Sequence, residues 1–164
     1  MAEALAIAAV RETFEETGLV LAESGDVGMD SHPDWAYWQE REIAPSLRLL
    51  GYFGRAVTSP VSPIRFNARF FIVHADLLQG HLGGSGELVE LDFYNANEVL
   101  NNKLIVDVTE FMLTSLIRLA ANPTDYDQRA PLFSYRGMTP FIHYHSSRGI
   151  VAKRTARENK HEET

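Results

Sequence analysis

Residues 11–19 read Arg11-Glu12-Thr13-Phe14-Glu15-Glu16-Thr17-Gly18-Leu19, which sets three carboxylates and one guanidinium on little more than a turn of helix. At about 100° per residue, Glu12, Glu15 and Glu16 share roughly one quadrant of the helical wheel, with Ile7, Val10 and Phe14 nearly opposite. One face can bury while the other binds. Carboxylates this close repel one another, and three arrangements relieve the repulsion: dispersal into water, pairing with Arg11, or a shared metal ion. Oxygen-only ligands suit a hard ion, Mg²⁺ or Mn²⁺, better than zinc. In an arbitrary protein the commonest meaning of such a pattern is a solvated acidic face.

The order of the residues is more specific than their charge. Arg-Glu-x-x-Glu-Glu-x-Gly followed by an aliphatic residue resembles the C-terminal half of the Nudix box, and Glu3 stands eight residues before Arg11, where that box also has a glutamate. Five specified residues at roughly 6% each coincide by chance about once in 10⁶ windows, so the match outweighs the bland reading. The resemblance implies an α/β (α+β) fold, a Nudix-like mixed sheet flanked by helices. It also implies Mg²⁺- or Mn²⁺-dependent hydrolysis of a nucleoside diphosphate linked to another moiety. Metal ions polarise the diphosphate in such chemistry and activate a water for in-line attack. On this resemblance Glu12, Glu15 and Glu16 hold the metal, Glu15 and Glu16 take part in catalysis, and Arg11 orients a glutamate through an ion pair. Gly18 ends the helix in the left-handed conformation, and Thr13 takes a position usually filled by an aliphatic residue.

Nudix domains open the box with a glycine and precede it with a glycine-rich loop and several strands. Their places fall ahead of this chain's first residues, so the expectation is an N-terminally truncated domain at 1–145 lacking its first strands. A helical insertion at about 30–48 and a polar tail at 146–164 complete the expected organisation. The alternatives are a catalytically inactive nucleotide-binding or regulatory domain, and an inactive truncated product that pairs sheet edges as a homodimer.

Elsewhere the chain offers supporting groups. Arg65, Asn67 and Arg69 fall on one face of a strand-like run from Arg65 to Ala75, and two guanidinium forks beside an amide suit a diphosphate. The alternative is a solvent-facing edge. The Thr58–Pro63 linker, the inserted helix and this run together resemble the coenzyme A diphosphatase-like branch, which points to coenzyme A or its esters. Four glycines between Gly80 and Gly86 mark a loop, and the adjoining Glu87–Tyr94 reads as a strand entry. In Nudix proteins an acidic residue near this point often approaches the metal or acts as base, which makes Glu87 and Glu90 candidates. His143 and His145 lie two apart but lack an evident third ligand.

Helices, strands and loops must position these groups. Ser24–Pro33 is a loop, and Pro33 starts a helix that Pro45 interrupts or separates from a short second one. Trp35, Tyr37 and Trp38 read as packing rather than as a base-stacking platform. Tyr52–Thr58 is a strand, Asn95–Leu100 a turn entering a short helix, and Thr109–Ala121 a helix capped by Thr109 and stopped by Asn122-Pro123. Leu132–Tyr135 and Phe141–Tyr144 are short strands around a turn at Arg136-Gly137.

With 164 residues, 45% of them hydrophobic, the composition suits a single globular domain with an ordinary core. No apolar run approaches the ~18 residues of a membrane span, and residues 1–5 lack the basic start and apolar run of a signal peptide. The absence of cysteine excludes disulfides and thiolate zinc sites and fits a reducing, cytoplasmic setting. A net charge of −7 argues against a general nucleic-acid surface, although a nucleotide-sized ligand stays compatible if a metal offsets the local acidity.

Overall fold

The computed structural model describes residues 2–28, 32–102, 104–123 and 129–146. These fall into two compact units, Met1–Tyr52 with Phe71–Phe93, and Phe53–Phe70 with the chain from Tyr94 onward. Helix and strand are mixed, as expected of an α+β fold, and the largest sheet combines parallel and antiparallel pairs. No helix among the described residues is long and apolar enough to cross a membrane.

The first unit is built on α1, Ala2–Thr17. Its apolar stripe does what the period demands: Val10 is buried, and Phe14 stacks 4.2 Å from Tyr37 and 5.9 Å from Trp38. Two short strands come next, β1 (Leu19–Val20) and β2 (Ala22–Ser24). Pro33–Trp35 forms a 3₁₀ turn leading into α2, Ala36–Glu40. Proline at the first helical position loses no hydrogen bond there. The helix expected to run towards Pro45 stops at Glu40, and Ile43–Pro45 is instead a strand, β3, antiparallel to β2 with Glu23 opposite Ala44. The physical reason is that Glu42 takes a left-handed φ of 51°, which turns the chain out of the helix and back along β2. The expected helical insertion is therefore one short helix, a strand and two 3₁₀ turns. Ser46, fully buried, donates to Glu23 at 2.9 Å, and Arg48 donates to the same oxygen at 2.6 Å; the Arg48 bond first, then Ser46, hold the Glu23 carboxyl below its ordinary pKa.

Val10, Val20, Leu21 and Trp38 form the core of this unit, so the aromatic cluster packs, as its density suggested. Trp38 is wholly buried, and its Nε1–H has no hydrogen-bond partner among the described residues. The loop after α1 is closed by β6 (Gln79–Gly80), which pairs antiparallel with β1. The expected strand at Glu87–Tyr94 is not formed. Val89 and Phe93 are 86% and 67% exposed, no strand among the described residues pairs with the segment, and Glu90 sits at φ 55°, outside the extended region. With neither a ladder nor a face to bury, its alternation has nothing to stabilise it.

The second unit carries a sheet in the order β5-β4-β7-β8, where β4 is Gly51–Val57, β5 Asn67–Ile72, β7 Arg129–Arg136 and β8 Thr139–Ser146; residues 51–52 and 71–72 of the first two belong to the first unit. The β4–β7 pairing is parallel, with Ala56 opposite Phe133, and β7–β8 is an antiparallel hairpin, longer than the two short runs predicted. Its two-residue turn places Gly137 at φ 62°, the conformation such turns require. The strand expected over Arg65–Ala75 is confined to Asn67–Ile72; Arg65 and Phe66 are exposed ahead of it, and Ala75 begins a 3₁₀ turn.

Two helices complete the unit and pack on each other, α3 (Ala96–Asn102) and α4 (Asp107–Ala121). Asn95 accepts from the Asn97 amide at 2.9 Å and so caps α3. Thr109 does not cap α4. The extended residue before the helix is Val106, whose carbonyl already receives the Thr109 and Glu110 amides, so the helix starts two residues earlier than the threonine hydroxyl suggested. Met112 is buried, and Phe111 meets Phe133 at 5.2 Å. Asn122 closes the helix through its amide, as predicted.

Tyr135 donates to Asp107 at 2.6 Å, and burial first, then this bond to a carboxylate, push the phenol up to about 12 from 10.0. A pKa raised in the folded state stabilises it fully below the unfolded value, and that contribution is lost as pH rises from 10 through about 12. We expect Tyr135 to ionise last in a phenolate absorbance titration, and Asp107→Asn to bring it back towards 10.0. Unchanged titration in the variant would contradict the assignment.

Candidate active site on the first helix

The geometry of residues 11–18 depends on α1 and on what closes its end. The Gly18 amide donates to the Phe14 carbonyl at 2.8 Å with Gly18 at φ 74°, a left-handed stop as the sequence required. A helix end leaves its last carbonyls without intrahelical partners. Here the glycine loop supplies them: Ser85 N–H donates to Glu15 O at 2.7 Å and Gly83 N–H to Thr17 O at 3.0 Å. The two backbones approach so closely that a β-carbon at Gly84 would overlap the Glu16 carbonyl, and one at Gly18 would lie 2.5 Å from His81 O. This explains the glycine at 84, which the loop's composition alone could not.

Arg11 is the hub of the polar face. Its Nη1 donates to Glu15 Oε1 and, at 2.8 Å, to Asp34 Oδ2, while Nη2 donates to Glu12 Oε1. Partial burial opposes the charged guanidinium. The Glu15 hydrogen bond and the charges of Glu15, Glu12 and Asp34 outweigh that burial and hold its pKa above the ordinary arginine value. Glu12 is exposed and Glu15 half-buried; Glu16 is half-buried and makes no ion pair among the described residues. Asp34 also lies 3.2 Å from His32 Nδ1.

Sequence reading finds Arg11, Glu12, Glu15 and Glu16 but misses Asp34, which is 23 residues from its partner. An acidic residue just after Pro33 reads locally as a helix-start preference, so no local signal points to Arg11. Of the other candidates, Glu87 stands two residues beyond the Ser85 amide bound to Glu15, and its own amide meets Ser85 Oγ at 3.4 Å; Glu90 is exposed in the left-handed region. Arg65, Asn67 and Arg69 belong to the second unit. There Arg55 Nε donates to Asn67 Oδ1 at 2.7 Å, and Arg65 stands exposed before β5, so only Asn67 and Arg69 share a strand face. His143 lies on β8, while the His145 side chain is outside the described residues.

No group of three or more His, Asp or Glu is arranged to hold a metal ion among the described residues. Arg11 pairs with two carboxylates of the acidic face, Glu12 and Glu15. Neither a family model, a curated protein nor a solved structure matches the chain.

Proposed function

We propose that this chain is a Mg²⁺- or Mn²⁺-dependent diphosphatase of Nudix type, hydrolysing a nucleoside diphosphate linked to another moiety, with coenzyme A and its esters as the first substrates to test. The observation that carries the reading is α1 itself. Arg11, Glu12, Glu15 and Glu16 lie on one helical face, and Gly18 and the glycine loop fix the end of that helix. The glutamates are not grouped around one point among the described residues, but carboxylate oxygens are the ligand type a hard divalent cation takes. When bound, such an ion polarises a phosphoryl oxygen and lowers the pKa of a coordinated water.

Each of the chain's own residues has a part in this reading. Glu12, Glu15 and Glu16 would hold the cation. Arg11, already paired with Glu12 and Glu15, would keep these carboxylates in place while the cation is absent. Glu16, with no ion pair among the described residues, is the carboxylate best able to take a proton from an attacking water. Glu87 and Glu90 stay candidates for that base because the loop ahead of them is tied to Glu15. The setting proposed is cytoplasmic, with a small nucleotide derivative as partner, no nucleic acid, and a homodimer as an open oligomeric form.

A second reading has one observation in its favour. Arg11 already engages Glu12, Glu15 and Asp34, an arrangement that suits a non-catalytic nucleotide-binding or regulatory domain equally well. Product release from coenzyme A, NADH, ADP-ribose and nucleoside diphosphate sugars, with and without Mg²⁺, separates the two. The diphosphatase reading expects metal-dependent cleavage of at least one; binding without cleavage across the panel would leave the regulatory reading standing.

A further inference from the structure

One end of the second unit, where β4 runs into β5 and β7 turns into β8, carries exposed apolar side chains that the diphosphatase reading does not use. Val61, Ile64 and Phe66 of the 58–66 connection are 63%, 64% and 62% exposed, and Met138 of the hairpin turn is 76% exposed. Ser59 Oγ donates to Gly137 O at 2.8 Å and holds the two connections together, 78 residues apart in the chain. The longer connection is a built loop. The Thr58 amide donates to Phe66 O at 3.1 Å, the Phe66 amide to Thr58 Oγ1 at 2.9 Å and Ser62 Oγ to Ile64 O at 2.6 Å, while Pro60 and Pro63 each fix a backbone φ. Single exposed apolar residues are ordinary, whereas four on two joined loops make a patch. Charge points to what covers it. Residues 53–70 and 129–146 contain Arg55, Arg65, Arg69, Arg129 and Arg136 and no Asp or Glu, in a chain whose net charge is −7. Arg65 and Arg136, which adjoin the apolar side chains, are exposed and have no ion pair among the described residues. The carboxylate the structure ties to this hairpin, Asp107, accepts from Tyr135, which the two-residue period puts on the other face of β7 from Arg136.

We propose that this end of the second unit docks on an anionic lipid bilayer. The apolar side chains enter the boundary between headgroups and acyl chains, and Arg65 and Arg136 meet the lipid phosphates and carboxylates. The contact is with the surface and asks for no spanning segment. A second copy of the chain fits the patch less well, because a two-fold contact there brings the same arginines together. Nucleic acid also fits less well, since Val61, Ile64 and Met138 have no ring to stack on a base.

Co-sedimentation of the full chain with vesicles tests this, using phosphatidylcholine alone and phosphatidylcholine mixed with phosphatidylserine. Binding to the mixed vesicles about tenfold tighter than to the neutral ones is expected, with that excess lost at high salt. Ile64→Ser and Met138→Ser alter the two loops separately, so if thermal melts show one variant unfolded the other still decides; each is expected to weaken binding about tenfold. Val89→Ser removes an 86% exposed apolar side chain from the first unit and should leave binding within about twofold of the parent. No binding of the folded parent to the mixed vesicles, equal binding to both kinds, or a loss in Val89→Ser as large as in the loop variants overturns the proposal. So does a dimer, seen by light scattering, that the loop variants convert to monomer while no vesicle is bound.

Discussion

Substituting Gly84 by alanine is expected to cost about 3–5 kcal/mol, among the largest losses for any single methyl group added to this chain. Two effects add. At φ 46° an alanine sits in the left-handed region, at a cost of roughly 1–2 kcal/mol. Its β-carbon would also overlap the Glu16 carbonyl, with Thr17 N only 2.9 Å away; both are helix backbone that cannot rotate aside as a flexible side chain would. The loop must then lift, and the Ser85–Glu15 and Gly83–Thr17 hydrogen bonds are lost with it, each worth about 1 kcal/mol, leaving carbonyls at the helix end without partners. Gly86, where a β-carbon meets nothing within 4 Å, is the matched control: its φ of 85° carries the conformational cost without the collision. Denaturant unfolding of the two variants checks this. Equal losses would show that the close packing of loop on helix is not what holds the site.

Trp38→Ala is expected to be comparably severe, about 3–5 kcal/mol, because the indole is wholly buried between Phe14, Trp35 and Tyr37 at the centre of the first unit. The more informative variant is Trp38→Phe. A buried N–H without a partner costs about 1–3 kcal/mol, so replacing indole by phenyl removes a destabilising group along with some packing. The net loss should stay below about 2 kcal/mol, and α1 should keep its place. A loss as large as that of Trp38→Ala in the same unfolding measurement would contradict this account of the indole nitrogen.

Helix α1 is legible in the sequence because its apolar and acidic residues obey one period and Gly18 announces its end; core and polar face both come from that period. The aromatic cluster is legible as packing for a related reason, since three large rings in four residues have few other uses. What stays hidden depends on long-range partners. Whether Glu87–Tyr94 is a strand is decided by a partner to pair with, not by alternation, and no strand among the described residues pairs with it. Pro45 signals a helix break, whereas the turn at Glu42 and the β2 ladder decide its surroundings. Asp34 joins the site through a contact 23 residues long, for which local sequence carries no signature. The glycine loop is legible as a loop but not as the cap of α1, because glycine reports backbone freedom and not what approaches it.

The proposed metal-dependent cleavage of a diphosphate at the carboxylate face of α1 is open to a side-by-side comparison: product release from the diphosphate panel with and without Mg²⁺, by the chain and by Glu16→Gln. Glu16 makes no ion pair among the described residues, so the change to an uncharged isostere should leave stability nearly unaltered. Metal-dependent turnover that falls by about 100-fold or more in the variant is expected if Glu16 serves as the base. Turnover equal in the two proteins would contradict the part proposed for Glu16, and turnover unaffected by removing the metal, or none at all, would contradict the proposed diphosphatase.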